Sequence, residues 1–261
     1  MPNENELIYK VEEGIATVSL NRPHRKNALS TSLVNKLAET WEAIDEDDEV
    51  RVAVLTSADC GVFCAGMDLK EAAEIKKETG DDVLSKLKDP FHQRMRDLDK
   101  PIIAAMTGHL MAGGMMLSLN SDLRVGLAGT KVGITEAKIG RGSPWAVPLL
   151  GMLPQPLIME LVLTGELLPI ERLLQVGFIN YLEETPEEVR TRAYHLAGII
   201  RDNAPLSVKA AKASILAAMS LGCDEGIQEA KNLHKVVYAS EDGIEGPKAF
   251  AEKRKPVWKG R

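Results

Sequence analysis

Two turns of small residues carry the clearest chemical signal in this sequence. The first runs from Phe63 to Lys70 and reads FCAGMDLK, and the second runs from Gly108 to Gly114 and reads GHLMAGG. Each turn lies between an apolar run and a helical pattern, and glycine and alanine allow backbone to approach a ligand closely. Two such turns can direct two backbone N–H groups at one oxygen and stabilise the negative charge that it develops in a reaction.

One carboxylate is the best candidate for moving a proton. Glu136 stands in the segment GITEAKIG, after an apolar strand pattern and before a short apolar segment. These neighbours predict partial burial, which raises the pKa of a carboxyl group toward the range that a general acid or base needs. Cys64, in contrast, has no histidine that the sequence places beside it, and we expect a small packing residue there.

The elements that must position these residues alternate between strands and helices. Residues 15–20 and 101–106 have the patterns of strands. Ser30 is a predicted cap for a helix, and Gly113 opens a short apolar helix. From Pro154 onward the pattern is almost entirely helical. The alternation predicts an α/β fold.

Composition and charge narrow the class of protein. The 261 residues suffice for one large domain, or for one domain with a small appendage. The net charge of −6 and the lack of a long basic run argue against a nucleic-acid partner. No apolar run is long enough to cross a bilayer, and the acidic start MPNENELIYK has no apolar core of a signal peptide. The three cysteines show no metal-ligand spacing, so we expect no metal site and a reduced, cytoplasmic protein.

The chain resembles the crotonase (enoyl-CoA hydratase/isomerase) family along nearly its whole length. The resemblance implies an α/β fold with a spiral of ββα turns over residues 1–200. A helical region over residues 201–261 would make the contacts of a homotrimer or of a hexamer built from two trimers. The matching segments are LNRPHRKNALS at 20–30, VAVLTS at 52–57, FCAGMDLKE at 63–71, KPIIAAMTGHLMAGGMMLSLNSDLRV at 100–125, TKVGITEAKIG at 130–140 and GPKAFAEKRKPVWKGR at 246–261.

The resemblance also implies a reaction and its catalytic groups. The backbone N–H groups of Met67 and Gly113 would form an oxyanion hole for the thioester oxygen of an acyl-CoA as it becomes an enolate. Glu136 matches the second of the two glutamates that the family's hydratases use. No permanently bound cofactor is implied, because coenzyme A arrives as part of the substrate. The implied setting is fatty acid metabolism, such as β-oxidation.

Further residues are implied to bind this substrate. The adenine of coenzyme A would lie against one backbone segment, formed by Ala65, Gly66, Asp68, Leu69 and Lys70. Arg25 and Lys26, which form a basic cluster with Arg22, would lie near the phosphates. Trp145 would shape the acyl pocket, and Phe250 and Lys253 would reach the nucleotide bound to a neighbouring subunit.

Two departures from the hydratase pattern leave the exact reaction open. Met116 stands where hydratases have their first glutamate, and Pro144 replaces a glycine that helps to hold the water. Isomerisation of the double bond needs only Glu136 and the oxyanion hole. Hydration, the commoner activity in the family, needs a second group, which Ser143 or a backbone carbonyl could supply. The alternative is a non-catalytic or differently specialised acyl-CoA-binding protein of the same fold, against which the retained Glu136 counts.

Overall fold

The computed structural model describes residues 5–261, which form two β-sheets with helices packed around them. The strands are β1 (Leu7–Glu12), β2 (Ile15–Leu20), β3 (Val52–Ser57), β4 (Val62–Cys64), β5 (Ile102–Met106), β6 (His109–Met111), β7 (Leu123–Leu127), β8 (Lys131–Gly133), β9 (Leu168–Pro169) and β10 (Tyr181–Glu183). The helices are α1 (Thr31–Glu46), α2 (Leu69–Thr79), α3 (Arg94–Asp97), α4 (Gly113–Leu119), α5 (Gln155–Thr164), α6 (Ile170–Gln175), α7 (Pro186–Arg201), α8 (Pro205–Leu221), α9 (Cys223–Ala239) and α10 (Glu241–Ala251). Short 3₁₀ helices span Pro23–Arg25, Val83–Lys86, Glu136–Ile139 and Pro144–Gly151.

Successive turns of the chain place one strand in each sheet. The larger sheet has the order β1-β2-β3-β5-β7-β10, and the smaller has the order β4-β6-β8-β9. The chain thus passes from β3 to β4 and α2, then from β5 to β6 and α4, and then from β7 to β8. All pairs are parallel except β1 with β2 and β8 with β9. The expected α/β spiral of ββα turns is confirmed.

The larger sheet separates two apolar cores. Along β3 every residue is buried, as expected for a parallel strand covered on both faces. Ala53 and Leu55 belong to the main core, which also contains the inner face of α1, whereas Val52 and Val54 pack with residues of α7. The smaller sheet shares the main core, so the turns that follow β4 and β6 are fixed by close packing.

The first helix forms as its sequence predicts. The Oγ atom of Ser30 accepts a hydrogen bond from the backbone N–H of Leu33 at 3.1 Å, which caps α1. Its buried stripe contains the residues that recur at helical spacing, which are Leu33, Leu37, Trp41 and Ile44. Burial of this stripe fixes α1 against the main core.

The C-terminal third is mostly helical, with two short exceptions. The strands β9 and β10 are two and three residues long, too short for a periodic pattern to reveal them, and β10 extends the larger sheet beside β7. The helix α8 begins at Pro205 and ends before Gly222. It packs against α9, whereas α7 packs on the larger sheet. Across residues 5–261, no helix is long and apolar enough to span a membrane.

Candidate active site

The two turns of small residues meet at Gly66 and Gly113. Gly66 has a φ of +89°, and a β-carbon there would lie 2.8 Å from the β-carbon of Ala112 and 3.3 Å from the backbone nitrogen of Gly113. A β-carbon on Gly113 would lie 3.3 Å from the α-carbon of Gly66. Glycine is required at Gly66 both by the left-handed backbone and by the close approach. The structure therefore brings the two predicted turns into direct contact.

The N–H group of Met67 faces away from the neighbouring backbone. Leu29 donates to the carbonyl of Gly66 at 2.8 Å, and Asp68 donates to the carbonyl of Leu29 at 2.9 Å. This parallel bridge uses the groups on either side of Met67. Since backbone groups alternate in direction along extended chain, the N–H of Met67 points to the opposite side. Met67 is also one of the residues that line a cavity.

The N–H group of Gly113 has no partner within its own helix, for a different reason. Gly113 is the first residue of α4, and the first N–H groups of a helix have no partner within it. The preceding residue, Ala112, has the unusual backbone angles φ 49° and ψ −110°, and its own N–H donates to the carbonyl of Gly133 at 2.9 Å. A strained non-glycine residue of this kind is typical of functional sites. Gly113 lines the same cavity as Met67.

This cavity has a volume of about 170 Å³ and a mostly apolar wall. The larger apolar side chains of the wall include Leu29, Leu84, Phe91, Met116, Ile139 and Trp145. Titratable side chains on the wall are His92, Glu136 and Arg141. The cavity can thus hold an apolar group next to two backbone donors and a carboxyl group.

Glu136 is buried in this wall, at 8% exposure. It is the first residue of the 3₁₀ helix that follows β8, so the smaller sheet sets its position. Its Oε1 accepts a hydrogen bond from the indole Nε1 of Trp145 at 3.1 Å, and its Oε2 is buried without a partner among residues 5–261. Burial raises the pKa of Glu136 above its ordinary value, although backbone and Trp145 hydrogen bonds oppose the rise. A buried carboxyl oxygen without a partner is suited to exchange a proton with a ligand.

A buried ion-pair network holds the first turn. Arg22 is 7% exposed, and its guanidinium lies 3.0 Å from Oδ2 of Asp68 and 2.8 Å from Oε1 of Glu6. It also donates to the carbonyl of Ala28 at 2.6 Å. Burial raises the pKa of Asp68. The hydrogen bonds from Arg22 and from the N–H of Glu71 together lower this pKa by more, so the net shift is downward. Arg22 therefore holds the turn in place. The prediction that Arg22 forms a basic cluster with Arg25 and Lys26 is wrong, because its charge is buried and paired with Glu6 and Asp68.

The substrate-binding candidates fall into two groups. Ala65, Met67, Leu69, Gly113, Glu136 and Trp145 lie on the cavity wall. The second group, Arg25, Lys26 and Lys70, is exposed to solvent. The carbonyl of Lys26 accepts a hydrogen bond from the N–H of Ala65 at 3.2 Å, which places Lys26 next to the first turn. Asp68 caps α2 through a hydrogen bond from the N–H of Glu71.

Phe250 and Lys253 are not part of the cavity wall. Phe250 belongs to α10 and is 87% exposed, and Lys253 is exposed just beyond the end of that helix. Both residues therefore lie on the surface of this chain.

Other side chains have structural roles or lie elsewhere. Cys64 is fully buried, and burial raises the pKa of its thiol to about 12, so it is a packing residue as predicted. Ser143 does not line the cavity, whereas Arg141 does and pairs with Asp82 at 2.5 and 2.9 Å. His92 is a cavity residue that the sequence does not predict, because a histidine in the polar run HQRMRD has no periodic pattern to mark it as buried.

The chain is similar to known proteins along nearly its whole length. A family model described as Enoyl-CoA hydratase/isomerase matches residues 10–261. The chain is 36% identical to "Enoyl-CoA hydratase EchA19" of Mycobacterium tuberculosis, over 94% of this chain and 92% of that protein. It is 34% identical to "(E)-benzylidenesuccinyl-CoA hydratase" of Thauera aromatica, over 96% and 98% of the two chains. The crystal structure of an enoyl-CoA hydratase from Bacillus anthracis superposes with a TM-score of 0.92 at 28% identity, covering 98% of this chain and 100% of that one.

Proposed function

Because the chain belongs to the enoyl-CoA hydratase/isomerase family and is an enzyme of that type, we propose that it adds water to 2-enoyl-CoA thioesters. The N–H groups of Met67 and Gly113 hold the thioester oxygen, and Glu136 moves the proton. The relatives named above are hydratases, which supports hydration over other reactions of the family. The apolar wall of the cavity favours an apolar acyl group.

The buried carboxyl of Glu136 carries this proposal. Its Oε2 has no partner among the described residues and lies on the wall that also contains Met67 and Gly113. Fixed N–H donors stabilise an enolate oxygen most effectively where water is excluded, as in a small apolar cavity. A buried acid/base beside such donors can transfer a proton to or from the carbon next to the thioester.

Isomerisation of the double bond is the second candidate. Met116 lines the cavity where the resemblance places the first glutamate of hydratases, and a thioether is a weak acceptor that carries no proton. Pro144 has no N–H to hold a water. Isomerisation needs only the oxyanion hole and Glu136, so these two residues favour it.

Coenzyme A is proposed to bind along the first turn. Leu69 and Lys70 begin α2, and their N–H groups lie in its first turn, where helices leave donors unpaired. Arg25 is close enough to Asp68 for its charge to lower the pKa of that carboxyl. This effect is smaller than the rise caused by burial and the lowering caused by Arg22. The exposed cations Arg25 and Lys26 thus stand beside the turn, where the phosphates of coenzyme A need positive charge.

We also propose a homotrimer or a hexamer. The helices after residue 201 expose large apolar side chains, among them Ile215 at 71%, Tyr238 at 81%, Ile244 at 72% and Phe250 at 87%. Such a concentration of exposed apolar groups is typical of a surface that another protein covers. In this assembly Phe250 and Lys253 reach the nucleotide bound to the neighbouring subunit. Three free cysteines and the acyl-CoA substrate support a place in cytoplasmic fatty acid metabolism such as β-oxidation.

Two substrates tested side by side distinguish the reactions. Crotonyl-CoA loses its conjugated absorbance on hydration, whereas a 3-enoyl-CoA gains it on isomerisation. We expect the enzyme to hydrate crotonyl-CoA and the Glu136→Gln variant to lose this activity. Isomerisation without hydration would reject the proposed reaction in favour of the second candidate. A wild-type chain that performs neither reaction would support the non-catalytic alternative, which the comparisons do not favour.

A further inference from the structure

His92 is a buried histidine on the wall of the acyl cavity. It is 2% exposed and lies on the same wall as Met116, Glu136 and Gly113. Its backbone has a φ of +50°, which is uncommon for a residue other than glycine. A non-glycine residue held in this conformation inside a binding cavity indicates a constraint that the fold maintains.

The loop that carries His92 is anchored on both sides. The carboxylate of Asp89 accepts the N–H groups of Gln93 at 2.9 Å and of Arg94 at 3.0 Å. Asn120, which ends α4, donates its side-chain amide to the carbonyl of Phe91 at 3.1 Å. His92 is therefore fixed relative to α4, the helix that supplies Gly113 and Met116 to the cavity.

The imidazole is neutral near pH 7. Burial lowers the pKa of His92 to about 4, although Asp89 acts in the opposite direction. Each carboxylate oxygen of Asp89 accepts a hydrogen bond from a backbone N–H group. A neutral imidazole has one ring nitrogen that accepts a hydrogen bond and one that donates.

We propose that His92 orients the water that adds to the enoyl-CoA, by accepting a hydrogen bond from it in the acyl cavity. This role rests on the proposed hydration. It supplies the second polar group that Met116 and Pro144 do not provide. Of the two candidates from the sequence, Ser143 and a backbone carbonyl, the Ser143 side chain is not on the cavity wall, whereas His92 is.

In the proposed hydration, Glu136 takes and returns the proton, and the charge of His92 does not change. The water oxygen forms a bond to the β-carbon while Glu136 takes one of its protons. The electrons of the carbon–carbon double bond move toward the thioester, and its oxygen becomes the enolate oxygen held by Met67 and Gly113. Glu136 then returns the proton to the α-carbon, and the enolate electrons form the new C–H bond.

The test separates water addition from enolate formation. The His92→Asn variant removes the imidazole and retains a residue that tolerates positive φ. Its hydration of crotonyl-CoA is compared with its exchange of the α-hydrogens of butyryl-CoA in D₂O, which needs Glu136 and the oxyanion hole but no added water. His195→Asn is the matched control, because His195 is exposed on α7 and does not line the cavity.

We expect His92→Asn to lower the kcat of hydration about 10- to 100-fold, the range for a lost hydrogen bond to a reacting group. Its exchange rate should stay close to that of the wild type, and His195→Asn should change neither reaction. If His92→Asn does not fold by its melting curve, His92→Gly takes its place, since glycine also accepts the positive φ. Added imidazole should then restore its hydration.

Each other outcome overturns a distinct claim. Hydration by the folded His92 variant at the wild-type rate would overturn the role of His92 and leave the proposed function intact. An equal loss of hydration and exchange would show that His92 only supports the structure. A wild-type protein that exchanges α-hydrogens but does not hydrate crotonyl-CoA would reject the proposed hydration, and the role of His92 with it.

Discussion

The indole Nε1 of Trp145 donates a hydrogen bond to Oε1 of Glu136 at 3.1 Å, inside the apolar wall of the cavity. This bond favours the ionised carboxylate, whereas burial favours the protonated form, and burial is the larger effect. One oxygen of the carboxyl group is thereby fixed, and the other is buried without a hydrogen-bond partner among the described residues, as the proposed proton transfer requires.

Removing this hydrogen bond should raise the pKa of Glu136 further. In Trp145→Phe, we expect the acid limb of the pH–rate profile to move to higher pH and kcat at neutral pH to fall about tenfold, the worth of a hydrogen bond to a charged group. Trp258→Phe is a matched control, because the Nε1 of Trp258 donates to the carbonyl of Asp202 outside the cavity. An unchanged acid limb in Trp145→Phe would show that the observed limb does not report Glu136.

The oxyanion hole can be tested at Gly113 with two substitutions. A β-carbon at Gly113 would lie 2.7 Å from Cδ1 of Leu29, so alanine and proline both crowd the site. Only proline also removes the N–H. We expect kcat of Gly113→Pro to be roughly 10²- to 10³-fold below that of Gly113→Ala. If both variants fold and turn over within tenfold of each other, the thioester oxygen is not bound there.

The burial of Glu136 predicts a dependence of stability on pH. Because its pKa is raised by folding, the ionised carboxylate destabilises the folded protein above that pKa, and the effect disappears below the pKa of the unfolded chain. Glu136→Gln should therefore melt at a higher temperature than the wild type at pH 8, and the difference should fade toward pH 4.

Glu160→Gln gives a control of opposite sign. A hydrogen bond from Arg172 lowers the pKa of Glu160, so its ionised form stabilises the folded chain at neutral pH. This variant should melt slightly lower than the wild type at pH 8, with a difference that is also lost at low pH. Equal melting temperatures of Glu136→Gln and wild type at pH 8 and pH 4 would contradict the burial of an ionisable carboxyl group.

The exposed apolar side chains of the C-terminal helices predict an assembly. Sedimentation at micromolar concentration should show the mass of a trimer or a hexamer, and Ile215→Lys combined with Tyr238→Lys should reduce it. Val11→Lys, on the partly exposed strand β1, should leave the mass unchanged. A stable wild-type monomer would reject the assembly.

Short-range patterns in the sequence predict those features of the fold that depend only on residues nearby in the chain. The cap at Ser30 and the stripe on α1 follow from spacing within one helix, and the burial of Glu136 follows from its apolar neighbours. Arg22 was misassigned because its partner Asp68 is 46 residues away, and a charge cluster in sequence does not show which cation is buried. His92 was missed because its burial depends on a loop fixed by Asn120 of another element.

The turnover of crotonyl-CoA by Glu136→Gln tests the central claim most directly. Glutamine keeps the shape of the side chain and an oxygen that can accept the Trp145 hydrogen bond, but it cannot exchange a proton. With folding verified by melting curves, we expect kcat to fall at least about 100-fold, within the range for loss of a general acid/base. A kcat of Glu136→Gln within about threefold of the wild-type value would contradict the assignment of Glu136 as the acid/base.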